Sequence, residues 1–337
     1  MATKRIRIAQ IGVTNHGVTI LQAIRDSDTL ELVSVFDVLS EESRTTARNH
    51  NVRHADSYES ILKEKDVEAV ALVTPNHLHA VQIAEAFSAG KHVFVEKPIT
   101  RTVAEAHQSI IQARSARKLL MVGHNTRRRP IFRLAKTILH ERKIGVIAGV
   151  DMNMSRPVGI RAGLPAWKTD PNAANLVPMT QLGIHFADTI DYLLGPVARV
   201  GCVANNAAMS GGALDSVSSI LQLESGVPVT LSGFYVTPDE YFLRIYGTKG
   251  ILHCFVNGLK LDLLEGDTLR TALTKEFPNE GFSSFREQMN EFGDCVMNSK
   301  QPETGGPEGL RALAVIEAMV QSIATRRVID MKEILQS

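Results

Sequence analysis

The chain has 337 residues, 44% of them hydrophobic, which is enough for two domains with cores of their own. Its 37 basic and 36 acidic residues leave a formal net charge of +1, so nothing in the balance demands nucleic acid or an anionic membrane as a partner. The opening MATKRIRIAQIG lacks the apolar core of a signal peptide, and no apolar run reaches the ~18 residues that span a bilayer.

The first 125 residues alternate short β-branched runs with helical patterns. Strands are expected at RIRIAQIG (5–12), LELVSVFD (30–37), VEAVALVT (67–74), KHVFVE (91–96) and LLMVGHN (119–125). Between them lie amphipathic segments such as HLHAVQIAEAFSAG (77–90), closed by a glycine at the usual helix stop. Runs rich in Val, Ile and Leu, separated by helices, predict a doubly wound parallel sheet covered on both faces. Ligands of such sheets bind outside the carboxyl ends of the strands. Glu96 and Lys97 fall at one of those ends, where a strand should finish in turn residues rather than adjacent opposite charges. Beyond about residue 140 the pattern changes to strands in succession, from GVIAGVDMNMS to ILHCFVNG, with turns at Gly and Pro. Helical patterns occur at roughly 178–194, 282–298 and 307–326. This predicts an α+β domain with a large, mostly antiparallel sheet open on one face. The expected domains are 1–125 and 126–337.

The first motif is GVTNHG, Gly12 to Gly17, directly after the first strand. It departs from the dinucleotide fingerprint G-x-G-x-x-G by Thr14 in the middle position, whose hydroxyl can still serve the phosphates. The helix starting near His16 aims its N–H groups and dipole at an anion. Asp37 closes the second strand 20 residues after Gly17, where an acid accepts the adenosine ribose hydroxyls. An acid there, followed by Glu41 and Glu42, also disfavours a 2′-phosphate, so the cofactor is expected to be NAD rather than NADP.

Further motifs carry a resemblance over nearly the whole chain. The block TPNHLHAVQIAEAFSAGKHVFVEKPIT, the segment VGHNTRRRP, the helix LGIHFADTIDYLLG, the strand LRIYGTKGIL and the closing PEGLRALAVIEAMVQSIATRRVI follow one another in order. Together they resemble the glucose–fructose oxidoreductase / inositol dehydrogenase / MocA-like family (Gfo/Idh/MocA), which pairs a Rossmann domain with a sheet-plus-helix domain. The resemblance implies that Gly12, Thr14, Asn15, His16, Gly17, Thr74, Pro75, Asn76 and His79 belong to the cofactor side. Glu96 would meet the nicotinamide ribose, and Asn125 would lie beside the nicotinamide. Lys97 would reach that ribose and the substrate hydroxyl that loses its proton, and His185 would be the acid/base. The family often has a cis peptide in E-K-P, so a cis Lys97–Pro98 bond is expected. The chemistry suits the residue types: alcohol oxidation needs a proton removed as hydride leaves, and lysine and histidine can handle it.

Other candidates are weighed against plainer roles. His77 and His79, two apart on a helix, face different sides and do not form a metal pair, and no metal is expected. His79 could equally be a packed ring. The run Arg127–Arg129 could hold an anionic substrate group, Arg128 foremost, or be a solvated face. Trp167, the only tryptophan, could wall a sugar or aromatic substrate or be half-packed in a loop. The family's D-x-G-x-H is here Gln181-x-Gly183-x-His185, so the acid that partners the histidine is absent; Asp188 is an alternative orienter. The glycine-rich lead-in to that helix is replaced by NLVPM (175–179).

Cys202, Cys254 and Cys295 are far apart and in no Cys-x-x-Cys pattern, which points to reduced thiols and a cytoplasmic home. The function expected is NAD-dependent hydride transfer to or from a sugar, polyol or related cyclic alcohol, in a homodimer or homotetramer. The rivals are an NAD-recycling glycosidase or lyase and a non-catalytic cofactor-sensing regulator.

Overall fold

The alternation of buried strands and amphipathic helices builds a six-stranded parallel sheet in the computed structural model, which describes residues 4–161, 163–164, 176–278 and 282–336. Its strands are β1 (Ile6–Ile11), β2 (Leu30–Phe36), β3 (Arg53–His54), β4 (Ala69–Leu72), β5 (His92–Val95) and β6 (Leu120–Val122), in the order β3-β2-β1-β4-β5-β6. Helices α1 (His16–Arg25), α2 (Ser40–His50), α3 (Tyr58–Lys63), α4 (His79–Ser88) and α5 (Val103–Ala116) connect them. Local chemistry sets the helix ends. Thr102 and Glu105 form a reciprocal capping box at the start of α5, and the chain leaves α4 through Gly90 at φ 73°. All four residues of β4 are buried, as a central strand covered on both faces requires. Helix α1 buries Ile20, Leu21 and Ile24, each worth roughly 1.5–3 kcal/mol.

The second sheet has nine strands. Helix α6 (Pro130–His140) begins with proline, which suits a first turn, and leads to β7 (Ile147–Ser155). A π-helical turn, Met179–Gly183, runs into α7 (Ile184–Leu194). Then come β8 (Val197–Asn205), β9 (Ser216–Leu223), β10 (Pro228–Phe234), β11 (Glu240–Gly247), β12 (Gly250–Phe255), β13 (Gly258–Glu265) and β14 (Thr268–Glu276). After α8 (Ser283–Asn298) and α9 (Gly306–Thr325), β15 (Ile329–Asp330) and α10 (Met331–Leu335) close the described chain. The strand order is β14-β13-β12-β11-β7-β10-β9-β8-β15; β7 and β10 are parallel and the other neighbours antiparallel. Strict alternation in β9 turns Val217, Ser219, Leu221 and Leu223 inward and leaves the other face open.

The expected boundary at 125/126 needs correction. Two compact units emerge, Met1–Arg128 with Gly281–Leu310, and Arg129–Glu280 with Arg311–Ser337. The reason is α8, whose Met289 and Phe292 enter the core of the parallel-sheet unit. Phe292 meets Phe94 edge-on at 6.1 Å, and Asn290 accepts hydrogen bonds from Ser27 Oγ (2.7 Å) and the Asp28 N–H (2.8 Å).

Candidate active site

The loop after β1 is built around two glycines. Gly12 has φ 87°, and a Cβ on it would run into the Val73 carbonyl; a Cβ on Gly17 would run into that of Gly12. Gln10, buried within β1, donates from Nε2 to the carbonyls of Gly12 (2.8 Å) and Gly17 (2.7 Å) and clamps both ends of the loop. Sequence reasoning passed over Gln10; its signal was a polar residue inside an otherwise apolar strand. Asp37, just beyond β2, accepts the Val13 N–H (2.8 Å) and the Thr14 hydroxyl (3.4 Å) on one oxygen and the Leu39 N–H (3.0 Å) on the other. A carboxylate has about four acceptor sites, so Asp37 keeps capacity for a ribose hydroxyl while locking the loop. Thr14 thus turns its hydroxyl to Asp37. Asn15 sits at φ 50°, and no side chain caps the first turn of α1, which leaves the positive end of the helix beside the loop. A backbone cradle with no room for a Cβ, a bare helix start and a strand-end acid fit an adenine dinucleotide.

The loops after β4 and β5 lie at the same end of the sheet. Thr74 donates its hydroxyl to Gln82 Oε1 (2.6 Å), and Pro75 takes the cap position of the short turn Asn76–Leu78, so Asn76 lies inside it. His79 is 1% exposed, with Nδ1 2.8 Å from the Pro98 carbonyl and Nε2 2.9 Å from that of Thr74. The ring ties the Thr74 loop to the Glu96–Pro98 loop and has no surface for a cofactor, so its expected contact becomes a brace. Burial pushes His79 toward the neutral form against the pull of those two carbonyls and Glu96. A neutral ring donates to only one of them at a time.

Glu96 is buried and packs over Gly123, where a Cβ would come within 2.7 Å of its carboxylate. Its Oε1 lies 3.3 Å from His16 Nε2, and its Oε2 accepts the Lys97 N–H at 3.2 Å. Burial alone would raise its pKa, but His16 and Lys97 outweigh it and hold the carboxyl below its ordinary range. His16 also meets Phe285 of α8 edge-on at 5.5 Å. Dinucleotide loop, E-K-P loop and α8 therefore interlock through His16. Lys97 is half-buried, and the Lys97–Pro98 bond is cis, as the resemblance implied.

Asn125, beyond β6, donates from Nδ2 to Ser284 Oγ of α8 (2.9 Å). Arg128 corrects an expectation. It is fully buried and donates from Nε (2.9 Å) and Nη2 (2.6 Å) to Glu291 Oε2, from Nη1 to the His124 carbonyl (2.8 Å) and from Nη2 to Thr304 Oγ1 (3.1 Å). Its guanidinium is committed to the fold and cannot reach a substrate. Arg127 is buried as well, so the arginine run is no solvated face either. Ser284, Phe285 and Glu291, which no motif marks, all come from α8.

In the second unit, Gln181 lies in the π-helical turn and His185 in the first turn of α7, both half-buried. Such a widened turn resets which side chains share a helix face. Asp188 is buried further along α7. Trp167 lies outside the described residues.

Family models match two stretches: residues 6–124, described as an oxidoreductase family with an NAD-binding Rossmann fold, and 132–253, described as the GFO/IDH/MocA C-terminal domain. The chain belongs to the Gfo/Idh/MocA family. It is an enzyme, an oxidoreductase with an NAD-binding Rossmann domain. The family's inositol 2-dehydrogenase of Rhizobium meliloti is 27% identical over 336 residues, covering 96% of this chain and 99% of that one. The 1,5-anhydro-D-fructose reductase of Ensifer adhaerens is 26% identical over 300 residues, covering 88% and 89%. Among solved structures, an oxidoreductase from Desulfitobacterium hafniense described as NADPH-dependent superposes with a TM-score of 0.93 at 26% identity, covering 98% of this chain and 99% of that one. The Gfo/Idh/MocA fold is also shared with a levoglucosan dehydrogenase solved with NADH and levoglucosan (TM-score 0.88, 20% identity, 97% and 100% covered).

Proposed function

We propose that this enzyme transfers hydride between NAD(H) and a hydroxyl or keto carbon of a sugar, polyol or related cyclic alcohol. The observation that carries the reading is the half-buried Lys97 beside a buried carboxylate, tied through His16 to the dinucleotide loop. The names of the relatives, an inositol dehydrogenase and an anhydrofructose reductase, support the substrate class. Bound NAD supplies the hydride acceptor. Asp37 and the Gly12–Gly17 loop hold the adenosine and phosphates, with the Thr74–Asn76 loop, Glu96 and Asn125 toward the nicotinamide side. Lys97 stabilises the alkoxide as its proton leaves, and His185 on α7 exchanges the proton.

Asp37, with Glu41 and Glu42 in the first turn of α2, repels a 2′-phosphate. Preference for NAD(H) over NADP(H) should be roughly tenfold to a thousandfold, about 1.4–4 kcal/mol. Titrating both cofactors at one ionic strength checks this, and equal affinity would refute it. A screen of cyclic polyols and sugars for nicotinamide absorbance change tests the reaction; conversion of a sugar without net NADH would instead mean recycling chemistry. Three unpaired, buried cysteines support a cytoplasmic home. The open face of the nine-stranded sheet, with Val203 71% and Ile220 66% exposed around a cavity of about 960 Å³, supports a homo-oligomer. Light scattering would check it.

A further inference from the structure

At the amino-terminal ends of β5 and β6, the opposite end of the parallel sheet from the dinucleotide loop, lies a cavity of about 400 Å³. The last turns of α5 and α8 and the start of α9 wall it. Its lining includes His92, Arg114, Arg117, Lys118 and Lys300, and no aspartate or glutamate. Lys300 is neutralised by Asp294 at 3.0 Å. Arg114, Arg117 and Lys118 have no carboxylate partner among the described residues.

Cations at helix carboxyl ends ordinarily offset the helix dipole. Each helix end carries only about half an elementary charge, however, and the start of α9 adds positive potential. Three unpaired cations against two helix ends leave a surplus of roughly two positive charges, the charge of one phosphate dianion. A directed donor completes the set. The Leu119 N–H donates to His92 Nδ1 (3.1 Å), which places the ring proton on Nε2. Burial, with help from the Lys118 charge, pulls His92 down to about 4, so the ring stays a neutral N–H donor.

We propose that this cavity binds a small phosphate dianion, either inorganic phosphate or the phosphate end of a phosphorylated metabolite. Arginine forks match phosphate oxygens in pairs. The volume falls in the ~300–1,000 Å³ range of small-molecule sites and exceeds what phosphate alone would fill. The site is separate from the cofactor's pyrophosphate cradle, so the test keeps that cradle filled.

The test is calorimetric titration of the NADH-saturated enzyme with inorganic phosphate, with a hexose 6-phosphate and with the unphosphorylated hexose. Saturable binding of one or both phosphates at one site is expected. It should weaken about 10–100-fold in Arg114→Ser/Arg117→Ser, the loss of two charge-assisted contacts. Both arginines are exposed, so the variant should melt like the wild type. Tighter binding of the hexose phosphate identifies a phosphorylated metabolite; equal binding identifies phosphate itself. No saturable heat with either, unchanged affinity in the variant, or full competition by nitrate at equal ionic strength would overturn the assignment.

Discussion

Two charge clusters stand past the ends of neighbouring strands β5 and β6, and they differ in how deeply their cations are buried. Beyond β6, Arg128 is sealed: its guanidinium donates to Glu291, His124 and Thr304, and none of it meets solvent. Beyond β5, Glu96 is buried between His16 and the Lys97 N–H, yet Lys97 itself stays half-exposed. Both clusters look alike as text, basic residues close to the end of an apolar run. What separates a structural charge from a chemical one here is exposure toward a cavity or solvent, and that property belongs to the fold.

The sharpest break would come from exchanging the two outcomes by mutation. Lys97→Ala should cut turnover by on the order of 10²–10⁴, the span for losing a proton-handling group, with little change in melting temperature. Cofactor affinity should fall far less, since the adenosine and phosphate contacts come from Gly12–Gly17 and Asp37. Loss of NAD binding with intact turnover per bound complex would make Lys97 structural. Arg128→Met should do the converse, lowering stability by about 3–5 kcal/mol because Glu291 is left as an unpaired, mostly buried charge. Denaturant unfolding measures this. If Arg128→Met left stability intact but raised KM for substrate, Arg128 would be a substrate-binding residue rather than a structural one.

The same contrast explains what could be read in the chain. The parallel sheet was legible because its longer strands are mostly buried on both faces and helices such as α1 and α4 each show one apolar stripe. The fingerprint glycines, Asp37 and the E-K-P block were legible because their residue types are dictated by local backbone. β14 was not: nearly all of its side chains are exposed, so no inward stripe marks it. The role of α8 was hidden as well. It follows the second sheet in sequence but packs by Met289 and Phe292 on the first, a long-range choice that periodicity cannot reveal. Arg128 and His79 were placed at the site by their motifs, and only their partners show one to be a buried ion pair and the other a brace.

Glu96 offers a finer test of the half-open cluster. Its carboxyl is held below the ordinary range, so the folded state favours the ionised form. That contribution is complete above the unfolded value near 4.5 and is lost as pH falls through the lower folded value. Glu96→Gln should cost about 1.5–3 kcal/mol at neutral pH, the worth of hydrogen bonds to a charged group. It should cost less as acid is added, so the two stability curves begin to converge once the pH falls below about 4.5. Parallel curves across that window would mean that Glu96 is not ionised in the folded enzyme.

The smallest effect is expected at Gln181, in the π-helical turn before α7. A carboxylate beside an imidazole favours the imidazolium and fixes which nitrogen holds the proton. An amide can orient the ring through a hydrogen bond but lends it no charge. If Gln181 orients His185 in this way, alcohol oxidation, which needs the deprotonated base, should persist into mildly acidic solution. Gln181→Asp should move the acidic limb of the pH–rate profile upward by about one unit, the scale of a partly screened charge pair. The limb is measured in both proteins, with His185→Ala as control. A limb that stays put, or near-normal turnover in His185→Ala, would leave Lys97 as the route of the proton and make the substitution at Gln181 a matter of helix geometry rather than of charge.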